Sequence, residues 1–177
     1  MKHFIVIIIF TFIINYKVLA QQTDSKNYAD CGLSQQAINL SQLIIESTNQ
    51  QRAKLVCNKK LAKAALIKAK LMAKANDVNH RLEHTTPNQL LRAQGIKLPS
   101  NYPLFDNQVE AIMGGVATAQ ESFNLFKTSP DHKVHLLGEN EFVLEQDQIG
   151  VGYFKDNTTE HVYYWVVYIT QISTAED

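Results

Sequence analysis

Apolar residues follow three rhythms along the chain. Phe4 to Ile14 is an almost unbroken apolar run behind Lys2 and His3. From Leu33 the spacing turns helical, with Ile38, Leu40, Leu43, Ile44 and Ile45 recurring near every 3.6 residues. Asn58, a good helix cap, precedes a second helix. Its broad apolar face holds Leu61, Ala64, Ala65, Leu66, Ala69, Leu71, Met72 and Ala73, opposite Lys59, Lys63, Lys70 and Lys74. In "HTTPNQLLRAQG", Thr86 is a candidate N-cap, Pro87 sits at the first helical position and Gly95 stops the helix. "KLPSNYPLFDN" reads as a loop, and "QVEAIMGG" as a short buried strand. Thr118 and Glu121 form a T-x-x-E capping box before "SFNLFKT". The last third changes period: "FVLEQDQIGVGYF" and "HVYYWVVYIT" are strand-rich, and "KDNTTE" between them is turn chemistry, which predicts an antiparallel hairpin. Helices mainly first and strands mainly last predict an α+β fold, with helices covering an antiparallel sheet.

The first rhythm is not part of that fold. A basic start, an apolar run and Val18-Leu19-Ala20 read as a secretory signal over residues 1–20. The run is too short to cross a bilayer about 30 Å thick, which takes about 20 helical residues. A membrane association would therefore come only through an uncleaved signal. Residues 21–33 are expected to be a loose mature N-terminus and 34–177 a single domain. The expected location is secreted or periplasmic. Positive and negative side chains balance, 17 Lys and Arg against 17 Asp and Glu. Without a basic stripe, nucleic acid is excluded as a partner. In an exported chain the two cysteines, Cys31 and Cys57, read as one disulfide, with two buried thiols as the alternative.

Chemistry concentrates in "FKTSPDHKVHLLG". Ser129 caps a helix, Pro130 takes its first position and Asp131 suits its dipole, so these three have a structural reason. A Ser129–His132 nucleophile and base lacks a third group to orient the histidine. His132 and His135 share a helix face that needs neither, and imidazoles serve as metal ligands, proton shuttles or hydrogen-bonding core residues.

A series of segments extends this reading. "STNQQRA" contains N-x-x-R, and "LAKAALIKAKLMAKANDVNH" places His80 eight residues after Met72. "TPNQLLRAQGI" gives P-x-x-R…G, "VEAIMGG" stands at a G-E-N-I position, and "FKTSPDH" at a W-x-x-S-P-G-H position. "IGVGYF" and "VYYWVVYIT" close the series. In this order, from about Ile44 to Ile169, the chain resembles the bacterial branch of the CAP superfamily (cysteine-rich secretory proteins, antigen 5, pathogenesis-related proteins). The resemblance implies a three-layer α-β-α sandwich with a central antiparallel sheet. It also implies a cleft around His80, Glu110 and His132, with Ser129 where animal and plant members carry a second Glu, as is common in the bacterial branch. Two imidazoles, a carboxylate and a water would suit tetrahedral Zn²⁺, and would equally form a polar cluster in which Glu110 orients a histidine.

The chain departs from the pattern at Val109, Ala111, Phe126 and Asp131, which replace Gly, Asn, Trp and Gly. Ser129, Asp131, Phe126 and His84 are the other expected cleft residues, His84 competing with His80. His135 is expected behind or beside the cleft, and His161 on the surface of the hairpin. Ile96, Leu98, Tyr102, Pro103 and Leu104 either line an apolar groove or anchor a loop. The expected function is an exported module whose cleft binds Zn²⁺ or a ligand (a lipid, a peptide or a cell-wall component) without catalysis. The alternatives are a hydrolase of peptide or cell-wall substrates, and an interaction domain with a relic cleft.

Overall fold

The computed structural model describes residues 28–173. The expected signal, 1–20, and residues 21–27 lie outside the described residues. Residues 28–33 are not loose as expected. Cys31 is buried and bonded to Cys57, its carbonyl accepts from Val151 N at 2.7 Å, and Gly32 bridges Val151. The fold therefore begins before residue 34, because the disulfide pins this segment to the sheet.

The elements run α1 (Gln35–Ile45), β1 (Val56–Cys57), α2 (Lys59–Ala75), α3 (Pro87–Ala93) and β2 (Glu110–Gly114). They continue with α4 (Ala119–Phe126), α5 (Pro130–Leu137), α6 (Glu141–Leu144), β3 (Gln148–Lys155) and β4 (Tyr163–Thr170). Local chemistry sets most boundaries. Asn58 accepts from Lys60 N and Leu61 N, and full capping boxes start α3 at Thr86 and α4 at Thr118. Two boundaries differ from expectation. Phe142 to Leu144 form the single turn α6, capped by Asn140, instead of opening the strand. Ser129 occupies the cap position of α5 but makes no side-chain cap bond, so its hydroxyl is not consumed there.

The strands form one sheet in the order β1-β3-β4-β2. β4 pairs antiparallel with both β3 and β2. The two-residue β1 lies parallel to β3, so the sheet is mixed where an antiparallel one was expected. β4 shows why two layers of helix are needed. Its alternate residues Tyr164, Val166 and Tyr168 enter a core with α2 and α3, while Trp165, Val167 and Ile169 enter another with α1, α4 and α5. Both faces of the strand are apolar and both are covered. The fold is α+β, a three-layer sandwich.

Helix α2 lies directly on β3 because Gly150 and Gly152 have no side chains. A Cβ on Gly152 would overlap the backbone of Ala65, and one on Gly150 would overlap the backbone of Leu61 and Ala62. Ile96, Leu98 and Tyr102 are buried in the α2-side core, so they anchor their loop and do not line a groove. Among the described residues no helix is long and apolar enough to cross a membrane.

Candidate functional site

The site forms where edge strand β2 begins. Glu110 is paired in register with Tyr168, so both side chains face α2. On α2 that face carries Lys68, four residues after Ala64 and seven after Leu61, inside the apolar stripe. Lys68 Nζ lies 3.8 Å from Glu110 Oε1, with side chains 3% and 0% exposed. The same ammonium donates to the carbonyls of Asn79 at 2.8 Å and His80 at 2.6 Å. A buried cation thereby ties the loop bearing His80 to the carboxylate. Burial lowers the Lys68 pKa, with Glu110 and then Asp77 opposing the shift.

Glu110 is fully engaged. Its Oε1 meets His80 Nδ1 at 2.9 Å, and its Oε2 accepts from the Tyr168 hydroxyl at 2.6 Å. Burial and then the carboxylate raise the Tyr168 phenol well above its ordinary value, so it remains a donor. With a carboxylate as partner, His80 Nδ1 is the nitrogen that donates to Glu110, and Nε2 is turned away from it. Asn107 Nδ2, 3.2 Å from the same Nδ1, is then satisfied by donating to Glu110 O at 3.0 Å. Asn107 Oδ1 accepts from the backbone of Val109 and Glu110, fixing the turn that delivers Glu110 into the strand. The His80 side chain is 42% exposed, and among the described residues its Nε2 has no protein partner.

Helix α5 supplies the facing wall. It docks through His135, whose Nε2 donates to Val109 O at 3.1 Å. Burial, and next the Arg52 guanidinium, push the His135 imidazole down to about 3, so it is a neutral structural donor. Arg52 holds the far end of α5. It is buried and donates to the carbonyls of His135, Leu136 and Val143 at 2.8, 3.0 and 3.0 Å. His132 stands edge-on against buried Phe126, with ring centres 5.2 Å apart. Burial, followed by the neighbouring His80, lowers its pKa.

Between these walls lies a cleft of about 730 Å³. His80, Glu110 and Asn107 line one side, and Ser129, Asp131 and His132 the other. The structure thus brings together His80, Glu110, His132, Ser129 and Asp131. His135 also reaches the cleft wall, beyond its docking role. Two expected cleft residues lie elsewhere. Phe126 is buried behind His132 as its support, and His84 is exposed on a turn at φ 64. His161 packs edge-on to Tyr164 away from the site, beside Gly114.

Among the described residues no group of three or more His, Cys, Asp or Glu is disposed to hold a metal ion. The reason is visible at Glu110, whose two oxygens serve His80, Lys68 and Tyr168. Two imidazoles alone are fewer than the three protein ligands usual for Zn²⁺, so the donor set does not fit the expected His80–Glu110–His132 site.

Sequence reasoning missed Lys68, Tyr168, Asn107 and the role of Arg52. Lys68 is detectable, since it breaks an otherwise apolar stripe. The other three carry no local signal.

No family model matches the chain, and no curated protein does. Among solved structures it is similar to an outer surface protein from Borrelia burgdorferi. The match has a TM-score of 0.57 and 22% identity, over 76% of this chain and 90% of the other. At that identity the likeness concerns the fold.

Proposed function

We propose that this chain is an exported binding module, of CAP-like architecture, whose cleft holds an organic ligand between His80 and His132. One observation carries the reading: a fully buried, fully partnered Glu110 orients His80 so that its free Nε2 belongs to an open cleft. A buried ion pair costs desolvation that apolar residues would avoid, and here it supports a half-exposed imidazole. The disulfide and the signal-like start agree with an exported chain.

Binding is favoured over catalysis. The cleft has imidazoles and an orienting carboxylate, but among the described residues its one lining hydroxyl, Ser129, makes no hydrogen bond to a histidine that could serve as its base. Saturation-transfer NMR with short peptides, neutral and sulfated oligosaccharides and phospholipid micelles tests the reading. At least one class is expected to bind, and to weaken tenfold or more in both His80→Ala and His132→Ala. Binding by no class, or binding indifferent to both changes, would leave an interaction domain with a relic cleft. Calorimetry with Zn²⁺ covers the metal: a one-to-one site lost in both variants would replace the organic ligand.

A further inference from the structure

The chemistry of the cleft lining selects among ligand classes. Among the described residues that line it there is no Lys or Arg, while two carboxylates, Glu110 and Asp131, are present. Lys68 lies behind the wall, buried and committed to Glu110 and two carbonyls. Asp131 occupies the first turn of α5 and offsets the positive end of that helix. An anionic ligand would therefore meet negative charge with no compensating cation. A cation would find the exposed Asp131 as its one unpartnered carboxylate in the lining, since both oxygens of Glu110 are spoken for.

What remains free is neutral or accepting hydrogen-bond chemistry. Ser129 makes no cap bond with its hydroxyl, and among the described residues the Asp131 carboxylate and both His132 nitrogens have no protein hydrogen bond. These three side chains stand close together at the start of α5. On α6, Phe142 lines the same cleft with 41% of its surface exposed. Its ring leans on Tyr102 with centres 5.3 Å apart, which holds it in place without covering it. An exposed aromatic ring in one cleft with an unused carboxylate, hydroxyl and imidazole matches a pyranose ring. Its C–H face stacks on an aromatic, and its hydroxyls need acceptors and donors at the edge. The volume falls within the range of about 300–1,000 Å³ typical of small-molecule sites.

We propose that the cleft ligand is a neutral oligosaccharide, stacked on Phe142 and hydrogen-bonded by Ser129, Asp131 and His132; this rests on the binding-cleft reading above. Calorimetry with the β-1,4-linked N-acetylglucosamine tetrasaccharide and its O-sulfated form tests it, on the purified protein and on Phe142→Ala and Asp131→Asn. Both substitutions are at exposed positions, which keeps the variants foldable. The neutral sugar is expected to bind, the sulfated one at least tenfold more weakly, and each variant to weaken the neutral sugar tenfold or more. Neutral-sugar binding untouched by both variants would place the sugar elsewhere and overturn the proposal. No sugar binding, alongside a peptide or lipid that depends on His80, would overturn the sugar and leave the cleft reading standing. Silence from every ligand class would remove both.

Discussion

Lys68 shows how one residue organises the site. On a surface helix a lysine at an apolar-stripe position would turn outward and bury only its methylenes. Here the chain cannot do so, because the stripe lies against the sheet, and the ammonium meets Glu110 and two loop carbonyls instead. Lys68→Met is expected to lower stability by about 3 kcal/mol, since it leaves a buried carboxylate short of its cation. Urea denaturation measures this, and the double change Lys68→Met with Glu110→Gln is expected to recover part of the loss. A single-variant loss below about 1 kcal/mol would show that Tyr168 and His80 satisfy Glu110 unaided. At this scale the sequence is informative about identity and poor about partnership. His80, Glu110 and His132 are singled out by the resemblance to a known family, yet nothing local says that Tyr168 closes on Glu110. That contact depends on the register between β2 and β4, 58 residues apart in sequence.

Elements are legible wherever a boundary carries its own chemistry. Thr86 with Gln89 and Thr118 with Glu121 announce their helices, and the Val, Ile and Tyr richness of β4 announces a strand. Ser129 and α6 show the limit. The cap position at Ser129 is real, but its hydroxyl is not needed by the helix and is left for the cleft. "EFVL" has strand-like residues and folds as one helical turn, because Asn140 caps it and Arg52 takes the Val143 carbonyl. The tightest contact between elements is α2 on β3. Gly152→Ala would press a Cβ against the Ala65 backbone, and backbone cannot rotate away as a side chain can. Overpacking commonly costs about 1–3 kcal/mol, and this case is expected at or above about 3. Circular dichroism with a urea midpoint checks it, and a loss under about 1 kcal/mol would mean that α2 slides freely on the sheet.

For the whole molecule, the disulfide joins the first described residues to β1, across a sequence separation of 26. It closes α1 and its following loop onto the sheet, and the Cys31 carbonyl continues the attachment to Val151. The double change Cys31→Ser and Cys57→Ser is expected to cost about 3 kcal/mol, chiefly through the freer unfolded chain. Comparing urea midpoints of the variant with those of the oxidised and reduced parent protein checks it. A parent whose midpoint ignores reductant would place the stability in the sheet alone.

The sequence by itself determined most of the kinds of element, with α6 and β1 the exceptions, many of their ends, the cysteine pair and the α+β class. Those properties arise from neighbours a few residues apart: hydrophobic period, capping side chains, turn residues and composition. Tertiary structure alone decided that Arg52 locks α5, that Lys68 and Tyr168 hold Glu110, and that Phe126 supports His132 from behind. The first two join residues distant in sequence, through strand register or helix docking, and the third brings the end of α4 against the start of α5. Such contacts depend on where whole elements come to rest, and that position is set by packing across the sheet, with no counterpart in any short stretch of the chain.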